Sequence, residues 1–421
     1  MDMRIEDRRG YSMGQREGDG MTMSGLRGRV WEVFRPTEDQ WNSWKWHFQN
    51  RITTVEQLAR LVALTRDQSC RLKHVSKEYP LSITPFYVAL ASGDDLSDPV
   101  LRQSVPSLEE TACAGIGEDD PLKEQSHSPV PGLVHRYPDR VLMVVTDICP
   151  VFCRHCTRKR EWRHGISWVR SASVIEAGID YIRNNTAIRD VIISGGDPLV
   201  LDNARLGLIL KRLRAIEHVE IIRIGTRFPV VLPQRIDEGF CRIVEEYGPI
   251  WLNTQFNHPN EVTPEASQAV QKLMRAGVPV NNQSVLLRGI NDSVAVQMRL
   301  VHELLKIRVR PYYLYHADEV RGTEHFRTSI ETGIDIVEGL TGHTSGFSVP
   351  TFVVDAVNGG GKIPLQPRYI LDRTANEFVL RNFEGQFVHC RNPQPEGDSP
   401  SLQATTASAS RPAWHDKEND E

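Results

Sequence analysis

Residues 141–156 read VLMVVTDICPVFCRHC, an apolar run followed at once by three cysteines within eight residues. The apolar run is typical of a buried parallel strand, because other elements cover both faces of such a strand. Cys149, Cys153 and Cys156 therefore follow a strand directly, where loops of β/α folds carry functional groups. Thiols this close together are too crowded for ordinary disulfides and indicate a reducing compartment.

Short apolar runs alternate with amphipathic helical stretches after residue 140. Alternation of this kind favours a parallel sheet, and six units fall short of the eight in a closed β/α barrel. The sequence therefore predicts an α/β fold, an open partial (β/α)6 barrel. The predicted strands are VLMVVTD, DVIISGGD, VEIIRIGT, PIWLNTQFN, VPVNNQSVLL and VRPYYLYHAD. Their carboxyl ends, which should face the active site, carry Asp147, Gly195, Gly196, Asp197, Asn257, Gln283 and Asp318.

Composition divides the chain into five segments. Residues 1–25 and 391–421 lack an apolar period and are predicted to be disordered tails. Residues 26–130 carry apolar residues at helical spacing and are predicted to form an N-terminal helical region, whose tryptophans belong to the core. Residues 131–345 hold the barrel. Residues 346–390 form a C-terminal segment with the stretch VPTFVVDAVNGGGK.

The overall charge of the chain excludes several classes of partner. A formal net charge of −4 over 421 residues gives no electrostatic case for nucleic acid or an anionic membrane. No stretch approaches the ~20 apolar residues of a membrane span, and the polar N-terminus lacks the apolar centre of a signal peptide. We therefore expect a cytoplasmic protein whose partners are small molecules.

The spacing C-x-x-x-C-x-x-C is compatible with three interpretations. It does not form the two CxxC pairs of a zinc ribbon, and His155 lies too close to Cys156 on a tight loop to share a zinc ion easily. Buried thiols that bind nothing are a second interpretation. An iron–sulfur cluster suits soft thiolates, and three protein ligands for four irons leave one iron open to a small molecule.

The cysteine spacing after the first strand of a partial barrel resembles the radical S-adenosylmethionine (SAM) superfamily. The resemblance implies a 4Fe–4S cluster on Cys149, Cys153 and Cys156, whose open iron binds SAM. The stretch SGGDPL, at the end of the second predicted strand, is similar to the glycine-rich element of that superfamily. Alone, this stretch would indicate only a turn. The resemblance therefore predicts that Gly195, Gly196 and Asp197 line a SAM site.

Longer segments resemble lysine 2,3-aminomutases over about residues 30–390. Two of them are SPVPGLVHRYPDRVLMVVTDICPVFCRHCTRKR and RPYYLYHADEVRGTEHFRTSIETGIDIVEGLTGHTSGFSVPTFVVDA. The resemblance implies an isomerase that moves an α-amino group to the β-carbon and uses pyridoxal 5′-phosphate. It also implies an electron donor such as flavodoxin or ferredoxin, and it is compatible with a homo-oligomer. The residue roles that it implies are Lys362 for holding pyridoxal phosphate, Arg136 and Arg140 for its phosphate, Arg158 for the substrate carboxylate, and His155 and Gln283 near the adenosyl group.

Two acids indicate the substrate class. Asp318 and Asp355 match the family pair that receives the distal ammonium of lysine, and relatives that act on glutamate lack these acids. Buried carboxylates require a cation, so we expect a basic amino acid. The flanking stretches YHADEV and DAVNGGGK depart from the family pattern. Because a guanidinium takes bidentate partners and more room, we favour L-arginine to β-arginine, with L-lysine to L-β-lysine as the alternative.

Three further positions depart from the family. Ser293 stands where the family has a zinc-binding cysteine, and Cys390 is alone where the family has a cysteine cluster, so we expect no structural zinc. Gln255 replaces a histidine near the SAM site, with no effect that we can predict. Two alternative functions remain: a radical enzyme that modifies a lysine on a protein partner, and a zinc-binding structural protein.

Overall fold

The computed structural model describes residues 25–113, 115–163 and 168–393. The predicted tails, 1–25 and 391–421, lie outside the described residues except for Gly25 and residues 391–393. The chain divides after Pro367 into two compact units.

The first unit begins with eight short helices. Three of them begin at a capping box of threonine and glutamine, at Thr37, Thr54 and Thr65. In each, the threonine side chain accepts the backbone N–H of the third helical residue, a glutamine, and the glutamine side chain accepts the backbone N–H of the threonine. Trp41 is buried and packs against Trp31, in agreement with the predicted core role of the tryptophans. The helices are α1 (Leu26–Phe34), α2 (Glu38–Trp41), α3 (Trp44–Gln49), α4 (Val55–Ala59), α5 (Arg66–Val75), α6 (Pro85–Val88), α7 (Pro99–Arg102) and α8 (Leu108–Ala112).

A nine-stranded sheet follows, with its strands in chain order. The seven strands β2 to β8 run parallel, and an antiparallel strand pairs at each edge. The strands are β1 (Leu133–Tyr137), β2 (Arg140–Val144), β3 (Asp190–Ser194), β4 (Ile221–Gly225), β5 (Ile250–Thr254), β6 (Val280–Leu286), β7 (Arg310–His316), β8 (Thr351–Ala356) and β9 (Gly361–Leu365).

The six predicted strands are confirmed as β2 to β7, and the predicted α/β partial barrel is confirmed with them. The structure adds a seventh parallel strand, because β8 in the predicted C-terminal segment pairs with β7. In the described part of the chain no ladder joins β1 to β9, so the sheet stays open. The boundary that we place between residues 345 and 346 stays a prediction.

Helices cover the outside of the sheet. On α14 the buried residues follow a helical period, Ala266, Ala269, Val270 and Leu273, which turns one apolar face to the core. The helices are α9 (Lys159–Arg163), α10 (Ala172–Arg183), α11 (Asn203–Arg214), α12 (Phe228–Val231), α13 (Glu238–Glu246), α14 (Pro264–Arg275), α15 (Val294–Lys306) and α16 (Ile330–Leu340), with 3-10 turns at Pro198–Val200, Pro233–Arg235, Pro259–Glu261, Glu324–Phe326, Gly346–Ser348 and Val357–Gly359.

Alternation along the strands separates the core from a central cavity. Val191 and Ile193 of β3 are fully buried in the core, whereas Ile192 and Ser194 line the cavity. A strand turns successive side chains to opposite faces, so one face of the sheet packs on helices and the other faces the cavity.

The second unit contains a three-stranded antiparallel sheet, β10 (Ile370–Arg373), β11 (Glu377–Arg381) and β12 (Phe387–Arg391). Among the described helices of the chain, none has the length and apolar character needed to cross a membrane.

Candidate active site

A cavity of about 580 Å³ lies inside the sheet. This volume falls within the range of about 300–1,000 Å³ that is typical of small-molecule sites. The structure brings to its walls every residue to which the family resemblance assigns a role: Arg136, Arg140, Cys149, Cys153, His155, Cys156, Arg158, Gly195, Gly196, Asp197, Gln283, Asp318, Asp355 and Lys362.

The three cysteines lie on the loop after β2 and are free thiols. Burial raises the pKa of the Cys149 thiol well above its usual range, and the nearby Cys156 adds to the effect. Burial also raises the pKa of the Cys156 thiol, so these two thiols need nearby cationic charge to become thiolates. In the part of the chain that the structure describes, no three His, Cys, Asp or Glu side chains are close enough to hold one metal ion. Soft thiolates at the spacing C-x-x-x-C-x-x-C would suit an iron–sulfur cluster.

His155 is a buried neutral imidazole beside these thiols. Burial, and then the positive charge of Arg227, hold its pKa well below the usual range. Its Nε2 lies 3.3 Å from the amide nitrogen of Asn257 and 3.4 Å from that of Gln255. Because Nε2 accepts from these amides, the proton resides on Nδ1, which is buried and has no hydrogen-bond partner within the described residues.

The end of β3 approaches the end of β2 so closely that only glycine fits. A Cβ on Gly195 would lie 2.2 Å from the carbonyl oxygen of Thr146, and Gly195 has a φ of +143°. The next acid, Asp197, accepts hydrogen bonds from the Thr226 hydroxyl and the Arg227 N–H, both at 2.7 Å. Burial raises the pKa of Asp197 to about 6. The side chain of Asp197 therefore joins the ends of β3 and β4.

Lys362 occupies β9, directly opposite Asp355 on β8. Its Nζ lies 2.9 and 3.0 Å from the two oxygens of Asp355, whose side chain is only 5% exposed. The hairpin between them is possible because Gly361 has a φ of +92°. The amine fits a covalent attachment of pyridoxal phosphate, since it projects from a rigid strand into the cavity.

The hairpin of β1 and β2 supplies two arginines to the same part of the cavity. Arg136 Nη2 donates to Asp355 at 3.1 Å and to the Tyr137 hydroxyl at 3.0 Å. Arg140 is 40% exposed and lies over the ring of Tyr137, 4.5 Å from its centroid. Tyr137 also accepts the backbone N–H of Lys362 at 3.0 Å, so a side chain joins the two edges of the open sheet. The two guanidinium groups fit a phosphate dianion.

Arg158 is held by an acid that sequence reasoning missed. Its Nε and Nη2 donate to the two oxygens of Glu124 at 2.9 and 2.6 Å. Burial acts to raise the pKa of Glu124, but the charges of Arg158 and Arg160 lower it to about 2. Among the described residues, Nη1 of Arg158 has a single contact, a long one of 3.5 Å to the carbonyl of Gly195. That nitrogen remains available for a ligand carboxylate.

Asp318, unlike Asp355, is not bonded to a cation within the described residues, although the charge of the nearby Lys362 acts to lower its pKa. The Thr157 hydroxyl donates to its Oδ2 at 2.8 Å, and among the described residues Asp318 forms no ion pair. Burial, and then the like charge of Asp355, raise the pKa of Asp318 to about 6. A carboxylate in this environment favours a bound cation. Gln283, nearby on the cavity wall, donates to the Tyr315 hydroxyl at 3.1 Å.

Two of the polar residues predicted at strand ends do not line the cavity. Asp147 is buried and accepts the Trp168 N–H, and Asn257 is buried and accepts the Val285 N–H. The expectation that they face the active site is wrong: the Asp147 side chain is used by a backbone group, and the Asn257 side chain by the Val285 N–H and by contacts to Gln103 and His155.

Comparisons with known proteins identify the family. Residues 143–299 match the radical SAM superfamily model, and residues 337–417 match the model described as lysine-2,3-aminomutase. The chain is 50% identical to L-lysine 2,3-aminomutase of Clostridium subterminale, over 85% of this chain and 86% of that protein. The chain belongs to the lysine 2,3-aminomutase family.

Other members of the family show similar coverage. Identity is 49% to L-lysine 2,3-aminomutase of Bacillus subtilis, over 86% of this chain and 77% of that protein. It is 42% to glutamate 2,3-aminomutase of Clostridioides difficile, over 86% and 85%. The protein is therefore a radical SAM isomerase whose family uses a 4Fe–4S cluster, SAM and pyridoxal phosphate. The alternative of a zinc-binding structural protein is thereby excluded.

Proposed function

We propose that the protein is an L-lysine 2,3-aminomutase, which converts L-lysine to L-β-lysine. The observation that carries the proposal is Asp318, a cavity carboxylate whose pKa is about 6 and which has no cationic partner among the described residues. The distal ammonium of lysine supplies the missing charge. Our sequence-based preference for arginine has no support in the comparisons, where the L-lysine 2,3-aminomutases favour the lysine alternative.

The geometry provides for both ends of a lysine molecule. Asp318 and Asp355 receive the distal ammonium, and Nη1 of Arg158 receives the α-carboxylate. Asp355 is paired with the Lys362 ammonium in this structure. Covalent attachment of pyridoxal phosphate to Lys362 would remove this partner, and Arg136 would remain as the cationic partner of Asp355.

We assign the cofactors to three groups of residues. When bound, the cofactors supply a radical that removes a hydrogen atom and a carrier for the migrating amine. The residues that would hold them line one cavity, where burial keeps His155 neutral. The groups are Cys149, Cys153 and Cys156 for the cluster; Gly195, Gly196, Asp197, His155 and Gln283 for SAM; and Lys362, Arg136 and Arg140 for pyridoxal phosphate.

A substrate comparison tests the proposal. Anaerobically reconstituted protein, reduced with dithionite in place of a flavodoxin or ferredoxin donor, is incubated separately with L-lysine, L-arginine and L-glutamate. We expect β-lysine to form fastest and glutamate to remain unchanged. Faster conversion of arginine would support the guanidinium alternative and refute the lysine assignment, whereas conversion of glutamate would refute the cation pocket itself.

A further inference from the structure

Arg227, which follows β4, is a buried arginine that the cofactor assignments leave without a role. Its side chain is 8% exposed. Nη1 donates to the sulfur of Cys153 at 2.9 Å, and within the described residues Nη1 has no other acceptor. Sequence reasoning could not find this contact, because the two residues are 74 positions apart and Arg227 belongs to no motif that we recognised.

The rest of the guanidinium is held firmly in place. Nη2 donates to Glu261 Oε1 at 2.6 Å, to the side-chain oxygen of Gln103 at 2.7 Å and to the Tyr87 hydroxyl at 3.0 Å. Nε donates to the carbonyl oxygen of Gln255 at 3.2 Å. The contacts come from both the helical region and the barrel, so Arg227 cannot turn away from Cys153 without breaking several buried hydrogen bonds.

Glu261 is the fixed counter-ion of this arginine. It is fully buried, and its Oε1 also accepts the Tyr87 hydroxyl at 2.6 Å. Its Oε2 accepts the backbone N–H groups of Asn257 and His258 at 2.6 and 2.9 Å. A purely structural ion pair would require only these contacts. The donor that remains, Nη1, is directed at a thiol.

We propose that Arg227 is a positioning residue that raises the reduction potential of the 4Fe–4S cluster through its hydrogen bond to Cys153. The inference rests on the proposed assignment of Cys153 as a cluster ligand. Reduction adds an electron whose charge is shared by the cluster sulfurs, so an N–H donor and a positive charge stabilise the reduced cluster more than the oxidised one. Glu261 partly offsets this effect, since its negative charge acts in the opposite direction.

Redox titration of the full-length reconstituted protein tests the proposal. The midpoint potential of the cluster is measured by electron paramagnetic resonance without SAM or substrate, together with iron and sulfide content. The first variant, Glu261→Gln, removes the counter-charge and keeps the donor. The second combines Arg227→Met with Glu261→Gln, which removes the donor without leaving a buried unpaired charge.

A matched control uses another ion pair with little exposure, whose arginine lines the same cavity. Arg223 and Asp190 are 14% and 12% exposed, lie 2.7 Å apart and, within the described residues, form no hydrogen bond to a cysteine. The control combines Arg223→Met with Asp190→Asn. Its net charge changes in the same way as that of the Arg227 double variant, but no hydrogen bond to sulfur is lost.

We expect the potential to rise in Glu261→Gln, to fall in the Arg227 double variant and to stay unchanged in the control. An unchanged potential in Glu261→Gln overturns the inference, and so does an unchanged potential in an Arg227 double variant that holds a full 4Fe–4S cluster. A shift in the control as large as that in the Arg227 double variant overturns it as well. If the double variant does not hold a cluster, Glu261→Gln alone decides. A wild-type protein that binds no cluster would instead refute the assignment of the cysteines.

Discussion

Replacement of Asp318 by Asn tests the cation pocket with little change in shape. The amide has nearly the volume of the carboxylate, and its oxygen can still accept the Thr157 hydroxyl that donates to Asp318 at 2.8 Å. The negative charge is removed, and one acceptor oxygen becomes an amide NH2 donor. Any loss of activity therefore reports on that charge and not on a collapse of the cavity.

The expected loss can be worked from the pKa. Burial and the charge of Asp355 raise the pKa of Asp318 from 3.8 to about 6, which disfavours the ionised form by ~3 kcal/mol when no cation is present. A substrate ammonium removes this penalty. Loss of one partner from a desolvated charge pair costs about 2–5 kcal/mol, so kcat/KM for lysine should fall by about 30-fold to several thousand-fold.

The pH dependence has a definite sign. Below pH 6 the free enzyme protonates Asp318, so wild-type kcat/KM should fall about tenfold for each further pH unit. Asp318→Asn should lack this limb. The pKa of this carboxyl is higher in the folded protein than in the unfolded chain. Its ionisation therefore lowers the free energy of unfolding above pH 6, and the effect disappears below about pH 4, where the carboxyl is protonated in both states. At pH 8 the substrate-free variant should therefore have a higher Tm than the wild type.

The control is Asp180→Asn, an exposed aspartate on α10 whose loss changes net charge by the same amount. Steady-state kinetics between pH 5 and pH 9 and thermal unfolding measure both effects. If Asp318→Asn keeps kcat/KM within threefold of the wild type, or shows the same acid limb, the proposed role of Asp318 is wrong.

The remaining predictions concern the other groups on the cavity. Replacing Cys149, Cys153 or Cys156 by Ala should remove bound iron and all turnover while the circular dichroism spectrum is retained; full activity in any one variant would contradict the cluster assignment. Lys362→Ala should abolish the visible absorption of covalently bound pyridoxal phosphate, whereas an unchanged spectrum would place the attachment on another amine. Glu124→Gln weakens the two hydrogen bonds that hold Arg158, so KM for lysine should rise about tenfold or more while kcat changes less. A fall in kcat of about tenfold with KM unchanged would show that Glu124 does not position Arg158 for substrate binding.

The barrel was predictable because its strands carry a simple signal. Runs such as DVIISGGD carry apolar residues on both faces of the strand. Parallel strands show this pattern because helices cover one face of the strand and the other face lines an enclosed cavity. The stretch TFVVDA was also strand-like, yet we placed it in the C-terminal segment. Only the register between Tyr313 and Thr351 shows that it extends the parallel sheet.

Site residues that belong to a sequence motif could be predicted, whereas contacts between residues far apart in the sequence were missed. Glu124 lies 34 positions from Arg158, and Asp355 lies 219 positions from Arg136, so no local pattern announces either pair. The same holds for Thr157, which lies within the cysteine loop but acts on Asp318. The opposite error, at Asp147 and Asn257, arose because a polar residue at a strand end can satisfy backbone groups as readily as it can face a ligand.

The central claim, a shift of the amino group within one lysine molecule, is tested most directly with L-lysine labelled by ¹⁵N at the α-amino group. The reconstituted, reduced protein is incubated with the labelled substrate in the presence of unlabelled ammonia, and the product is examined by NMR. We predict β-lysine with the ¹⁵N label retained and bonded to the β-carbon. The account would be contradicted if the label were lost to the ammonia pool. It would also be contradicted if a protein with its full content of iron, sulfide and pyridoxal phosphate left the labelled lysine unreacted.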